Sequence, residues 1–158
     1  MNENSKETFD RQISVIREYD APIEMVFNSW TNSGSLDIWW GPNGFKNSTK
    51  SMDFKLGGKW IYTMLAPDGT IYPNCITYTE IIPNQLIRYN HGSEEEISPE
   101  DFQVVVKFEK SEKGTRISMT MTLPSKEAKD TAVKFGAVEG ANQTLAKLNL
   151  FVDSELKT

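Results

Sequence analysis

The residue types that carry most enzyme chemistry are scarce in this sequence. It contains one histidine, His91, and one cysteine, Cys75. A Ser-His-Asp triad needs a histidine base, and His91 stands beside Gly92 in a stretch predicted to be an exposed loop. Neither a Gly-x-Ser-x-Gly nucleophile elbow nor a Gly-x-x-x-x-Gly-Lys-Ser/Thr phosphate loop is present. We therefore predict no catalytic residue, and expect substitution of His91 or Cys75 to leave ligand affinity nearly unchanged.

A metal site is disfavoured on the same grounds. With a single histidine and a single cysteine, a site for zinc, copper or non-haem iron would consist mostly of carboxylates, which match those metals poorly. We predict no metal and no cofactor.

Acid–base chemistry by carboxylates stays open. Three acidic residues lie on predicted strands: Asp53, Glu80 and Glu109. Alternation alone does not fix their sheet face, so a surface position or a structural ion pair is the favoured interpretation of each. The same holds for three strand arginines, because a buried arginine must be paired: Arg17, Arg88 and Arg116.

Aromatic residues are concentrated in the first half of the chain. They can fill a core or line an apolar pocket, and both interpretations stay open for each: Trp30, Trp39, Trp40, Phe45, Trp60 and Tyr62.

One long helix is predicted from Ser125 to the C-terminus. Pro124 and Ser125 supply a start signal, and apolar residues recur on one face: Val138, Ala141, Leu145, Leu148, Val152 and Leu156. The opposite face carries Asp130, Glu139, Gln143, Lys147 and Asp153. Each interior glycine costs about 1 kcal/mol relative to alanine. Gly136 and Gly140 therefore indicate a kink, or a place where small residues leave room for another group.

The remaining elements form an α+β pattern. A strand from Gln12 to Tyr19 is followed by two short helices, one beginning at Pro22 and one spanning Ser35 to Trp40. Extended runs then follow at Thr49 to Leu56, Lys59 to Leu65, Ile71 to Ile82 and Leu86 to Tyr89, with an acidic loop predicted from His91 to Asp101. Alternation indicates a last hairpin at 102–109 and 117–123. The apolar strip of this hairpin, with Val106 and Met119, is expected to face the last helix.

Length and charge restrict the class of protein. The 158 residues fit one domain, 12–156, after a flexible lead, 1–11. A net charge of −5 with scattered lysines disfavours nucleic acid and anionic membranes as partners. No apolar run approaches membrane-spanning length, and the N-terminus has no apolar segment of a signal peptide. We expect a cytoplasmic protein, and a weak homodimer stays open.

A set of motifs resembles the SRPBCC superfamily, in the branch of the C-terminal domain of the activator of the heat-shock-protein-90 ATPase. The matching residues are Arg17-Glu18-Tyr19-Asp20-Ala21-Pro22, Val26-Phe27, Trp30-Thr31, Leu36, Trp39-Trp40, Gly44-Phe45, Asp53-Phe54, Gly57-Gly58-Lys59-Trp60, Asp68-Gly69, Glu80-Ile81-Ile82-Pro83, Gly114-Thr115-Arg116, Gly140, Leu145 and Leu148. The resemblance implies a helix-grip fold, in which a curved antiparallel sheet wraps around a long C-terminal helix and encloses a cavity. The family usually has tryptophan where this sequence has Ala141.

Under that fold we expect non-catalytic binding of a small apolar or aromatic molecule between the sheet and the last helix. The predicted ligand-binding residues are Trp39, Trp40, Phe45, Trp60, Tyr62, Tyr78, Arg88, Val138, Ala141 and Leu145. One alternative is a cyclase- or aromatase-like enzyme that uses Arg17, Tyr62, Tyr78, Glu80 and Arg88. A second is a chaperone-interacting module, disfavoured because chaperone activators pair this domain with a separate N-terminal one. Ala141 is expected to border an open cavity.

Overall fold

The computed structural model describes residues 8–92, 94 and 101–157. Within them, seven strands form one antiparallel sheet in the order β1-β7-β6-β5-β4-β3-β2. The strands are β1 (Gln12–Tyr19), β2 (Lys46–Met52), β3 (Lys59–Leu65), β4 (Ile71–Ile82), β5 (Leu86–Gly92), β6 (Phe102–Lys110) and β7 (Thr115–Thr122). The helices are α1 (Ile23–Asn28), α2 (Ser33–Trp39), α3 (Lys126–Lys134) and α4 (Ala137–Leu156). The predicted α+β helix-grip architecture is confirmed.

Strand alternation places one apolar face of the sheet against the helices. In the β6–β7 register Val104 lies opposite Met121 and Val106 opposite Met119, so these side chains share a face. Val106 and Met119 belong to the same buried cluster as Leu145 and Leu148 of α4. The last hairpin therefore faces the last helix, as predicted. The opposite face is largely polar.

The short helices are fixed at their starts by local chemistry. Pro22, predicted as the first helical residue, is the N-cap of α1, so the helix begins one residue later than predicted, at Ile23. The Asn32 side chain accepts from the Ser35 backbone N–H at 2.9 Å and caps α2. The Ser125 hydroxyl likewise accepts from the Ala128 backbone N–H and caps α3.

The predicted single C-terminal helix is interrupted. α3 ends at Lys134, and Gly136 takes a φ of +91° before α4 begins at Ala137. This left-handed conformation costs an L-residue energy but is open to glycine, so Gly136 marks the break. Gly140 instead lies inside α4. The expectation of a kink is thus met at Gly136 alone.

The apolar face of α4, called the α4 stripe below, is buried unevenly along its length. Leu145, Leu148 and Val152 are fully buried, whereas Leu156, the last residue of the helix, is 47% exposed. Two residues assigned to the water-facing side also differ from the expectation. Gln143 and Lys147 are half-buried because they bond to the loop after α2.

The polar regions predicted at 1–11 and 91–101 lie largely outside the described residues. At the end of the first, Arg11 donates through Nη1 to the Leu123 carbonyl oxygen at 2.8 Å. At the start of the second, His91 and Gly92 continue β5 instead of opening a loop.

Truncating the centre of the α4 stripe should destabilise the fold. Leu145 is fully buried, so Leu145→Ala is expected to lower the free energy of unfolding by about 2–5 kcal/mol. Leu150→Ala is the matched control because Leu150 is 71% exposed, and its effect should stay within about 0.5 kcal/mol. Urea unfolding measures both, and equal effects would contradict the assignment of the buried stripe.

The two glycines at the start of α4 should respond oppositely to alanine. Gly136→Ala is expected to cost about 1–2 kcal/mol because its φ is +91°. Gly140→Ala should stabilise by up to about 1 kcal/mol, since the added Cβ meets only Pro42, at an ordinary contact distance of 3.6 Å. Thermal unfolding of both variants measures the difference. A loss of stability in Gly140→Ala would show that this helix position requires glycine.

Candidate ligand-binding cavity

A cavity of about 450 Å³ lies between the concave face of the sheet and the first half of α4. The described residues that line it are Trp40, Gly41, Pro42, Tyr62, Met64, Tyr89, His91, Phe102, Val104, Met119, Met121, Ala132, Phe135, Gly136, Ala137, Gly140, Ala141 and Thr144. None of these side chains is a carboxylate, an amine or a guanidinium, so the lining is apolar with a few neutral polar groups.

The helix side of the cavity consists of small residues. Gly136, Ala137, Gly140 and Ala141 present at most a methyl group to the space, so the first half of α4 does not fill the gap that separates it from the sheet. Thr144 uses its hydroxyl to donate to the Gly140 carbonyl oxygen at 2.9 Å. The cavity therefore results from side-chain volume that α4 lacks.

Aromatic rings form the wall at the β3 side. Trp40 donates through Nε1 to the Tyr62 hydroxyl oxygen at 3.2 Å. Trp60 stacks on Tyr62 with ring centroids 4.0 Å apart and meets Trp40 edge to face at 5.1 Å. Burial raises the pKa of the Tyr62 phenol, so the hydroxyl stays neutral at physiological pH. Each of these three rings therefore contacts the other two.

The loop after α2 is anchored to α4 at the cavity edge. Lys147 donates through Nζ to the Gly41 carbonyl oxygen at 3.1 Å, and the Gln143 side-chain oxygen accepts from the Asn43 backbone N–H at 3.1 Å. Partial burial lowers the pKa of Lys147. The two bonds fix Gly41 and Pro42 over the helix, where both line the cavity.

His91 lies on the cavity wall, and its predicted position in an exposed loop is wrong. It follows Ile87 and Tyr89 on the inner side of β5, and its ring stacks on Phe102 with centroids 4.7 Å apart. His91 Nε2 lies 2.9 Å from Asn74 Oδ1. Burial lowers the pKa of the imidazole to about 4, which keeps it neutral at pH 7.

Of the predicted site residues, the structure brings Trp40, Tyr62 and Ala141 to the cavity. Trp60 stands behind Tyr62 as its stacking partner, and Trp39 is fully buried with Nε1 donating to the Ser29 carbonyl oxygen at 3.0 Å. These two tryptophans support the wall from outside the lining.

The other predicted residues lie elsewhere. Phe45 packs against Tyr72, and Tyr78 packs edge to face on Phe54. Leu145 belongs to the core, with Val138 packed against that core. Arg88 lies outside the lining because it alternates with the buried Ile87 and Tyr89 and so points to the opposite sheet face.

Arg88 forms an ion pair on the sheet face opposite the cavity, which indicates a structural role. Arg88 Nε lies 3.1 Å from Glu80 Oε1, and both side chains are 44% exposed. Arg116 pairs with Glu18 at 3.9 Å in the same half-exposed manner. The structural interpretation of these arginines, favoured from the sequence, agrees with these contacts.

Several lining residues were absent from the ligand-binding set predicted from the sequence, chiefly His91, Phe102, Tyr89, Met119, Met121 and Phe135. The alternation Ile87, Tyr89, His91 was a signal that β5 continues on its buried side, and the opposing alternation of β6 starts at Phe102. Phe135 carried no such signal, because it follows the last residue of α3 and is 81% exposed at the cavity edge.

The described residues contain no group of three or more histidine, cysteine, aspartate or glutamate side chains placed to hold a metal ion. Cys75 is buried in β4, and burial raises the pKa of its thiol.

A family model described as "Activator of Hsp90 ATPase homolog 1-like protein" matches residues 20–153. The chain belongs to this family. The resemblance seen in the sequence is thereby confirmed for nearly the whole length of the domain. Among curated proteins none matches the sequence significantly.

Solved structures agree with the family fold. A crystal structure of a Nitrosomonas europaea protein has a TM-score of 0.86 at 19% identity and covers 94% of this chain and 98% of that one. An NMR structure from Arthrobacter aurescens gives 0.84 at 24% identity, covering 94% and 89%. The AHSA1 protein from Silicibacter pomeroyi gives 0.71 at 21% identity, covering 91% and 99%. At these identities the likeness shows the fold.

In the part of the chain that the structure describes, no helix is both long enough and apolar enough to cross a membrane.

The protonation of His91 can be followed directly because the chain has a single histidine. We expect its imidazole proton NMR signals to titrate with a midpoint near 4 instead of near the ordinary 6.5. The pKa of His91 is lower in the folded chain than in the unfolded chain, so the full stability is present above about pH 6.5, where the ring is neutral in both states. That stability is lost as pH falls from about 6.5 towards 4, by up to about 1.4 kcal/mol per pH unit. A midpoint near 6.5 would contradict the buried position.

Proposed function

We propose that the protein binds a small apolar or aromatic molecule, without transforming it, in the cavity between the sheet and α4. The observation that carries the proposal is the cavity itself. Its volume of about 450 Å³ falls in the range of roughly 300–1,000 Å³ that small-molecule sites occupy. Its lining combines aromatic, aliphatic and thioether side chains with a few neutral polar groups, which is the usual composition of such sites.

The mutual packing of the wall residues supports the proposal. Trp40, Trp60 and Tyr62 contact one another through a hydrogen bond, a stack and edge-to-face packing. A wall that is already ordered loses little conformational entropy when a ligand enters, so more of the gross contact energy becomes affinity. On the sheet side, Met64, Met119 and Met121 add thioether side chains that adapt to guests of different outline.

The residue at position 141 supports the same proposal. Ala141 lines the cavity at a place where the family usually holds a tryptophan, so this chain has apolar volume that such relatives would fill. A void of this size beside apolar side chains forgoes dispersion contacts, and an apolar ligand restores them.

The enzyme alternative has weaker support. Of the polar groups it would use, Glu80 and Arg88 are paired with each other on the far face of the sheet, and Tyr62 is held neutral by burial. The chaperone alternative rests on the family description. It is separable from ligand binding, because complex formation with purified Hsp90 can be measured in the absence of any small molecule.

Filling the cavity from α4 tests the proposal. Ala141→Trp is expected to stabilise the unliganded protein, since the indole occupies empty apolar space, and to abolish binding of 2-naphthol. Calorimetric titration measures the binding, and thermal unfolding measures the stability.

The matched control is Asn142→Trp, because the next helix position is exposed. It should bind 2-naphthol as the unsubstituted protein does. If Ala141→Trp instead lost about 1–3 kcal/mol of stability and still bound 2-naphthol, the space beside residue 141 would be occupied by its neighbours. Disappearance of 2-naphthol during incubation would favour the enzyme alternative.

A further inference from the structure

One polar group on the cavity wall has its hydrogen-bonding role fixed by a neighbour. Asn74 donates through Nδ2 to the Tyr72 carbonyl oxygen at 3.0 Å, so its Oδ1 is the atom that faces His91. His91 Nε2 lies 2.9 Å from that oxygen. An amide oxygen only accepts, and therefore the proton of the neutral imidazole is on Nε2.

The second ring nitrogen is consequently an acceptor. Because His91 is neutral at pH 7, Nδ1 carries a lone pair and no proton. Within the described residues no donor bonds to it. His91 lines the cavity, so this acceptor belongs to a residue of the cavity wall.

Most other polar groups of the wall are already engaged. The Thr144 hydroxyl donates to Gly140, and the Tyr62 oxygen accepts from Trp40. Tyr89 lies beside His91 with ring centroids 6.5 Å apart. The Nδ1 lone pair of His91 therefore remains as an acceptor for a guest.

We propose, building on the binding function proposed above, that the cavity selects uncharged apolar molecules that donate a hydrogen bond, from a hydroxyl or an N–H group, to Nδ1 of His91. A guest without a donor leaves this acceptor desolvated and unpaired, which costs affinity. A guest with a carboxylate would bury its charge against a lining in which the described residues supply no cation. His91 is thus the specificity residue, and Asn74 is a positioning residue that holds its tautomer.

Three ligands of one outline test the inference: 2-naphthol, 2-methoxynaphthalene and 2-naphthoate. Calorimetric titration at pH 7 should give 2-naphthol an affinity about fivefold higher than 2-methoxynaphthalene, the factor expected of one net hydrogen bond. 2-Naphthoate should bind more weakly than either.

Substitution of the acceptor should remove the preference. His91→Phe keeps an aromatic ring for the contact with Phe102 but has no nitrogen, so its affinities for 2-naphthol and 2-methoxynaphthalene should agree within about twofold. Arg88→Gln is the control, because residue 88 lies on the opposite face of the same strand and should leave the ratio at about fivefold.

Nitrogen NMR of the unsubstituted protein supplies a readout that needs no variant. The single histidine should show a protonated Nε2 and an unprotonated Nδ1. Addition of 2-naphthol should shift the Nδ1 signal, whereas 2-methoxynaphthalene should not. Equal affinity of these two ligands, or a proton on Nδ1, would overturn the inference while leaving the binding function intact. If neither ligand bound, the binding function and this inference would fall together.

Discussion

The structure depends on the burial of one stripe of α4 in the concave face of the sheet. Leu145, Leu148 and Val152 are fully buried there, and Tyr19 of β1 donates its hydroxyl to the Leu145 carbonyl oxygen at 2.9 Å. That bond joins the first strand to the last helix. Because the helix is seated from Leu145 onwards, its preceding turns must project over the sheet, and their small side chains leave the cavity unfilled.

The aromatic cluster supplies the second part of this arrangement. Trp30, contributed by the segment after α1, meets both Trp39 and Trp40 edge to face, with centroids 5.0 and 5.6 Å apart. The same cluster reaches β3 through Trp60, whose Nε1 donates to Thr49, and Thr49 donates in turn to Asp37 of α2. The short helices and the sheet are therefore held together by both ring contacts and a chain of hydrogen bonds, and the aromatic wall of the cavity rests on this cluster.

Much of the fold followed from local patterns. The bounds of β3 and β4 coincide with the predicted extended runs because turn residues flank both, and period-two alternation identified the last hairpin and its buried face. The break at Gly136 could only be anticipated as a kink, since the sequence does not distinguish a glycine with positive φ from one inside a helix, as Gly140 is.

The site was harder to predict. Alternation assigns Trp60 and Tyr62 to one face of the sheet. It does not show which ring lines the cavity and which packs behind it, because that depends on contacts with other elements. Arg88 could have been excluded, because the buried Ile87 and Tyr89 flank it. His91 was assigned to a loop because glutamates follow closely in the sequence, and this composition signal outweighed an alternation that extended to the end of the strand.

The connected tryptophans have an optical consequence. All four tryptophans of the chain lie in one series of ring contacts, from Trp39 and Trp30 through Trp40 to Trp60, with neighbouring centroids 5.0–5.6 Å apart. At such separations excitation energy migrates between indoles faster than it is emitted. The four tryptophans therefore emit as one coupled group. A quencher that contacts only Trp40 would lower the fluorescence of all four.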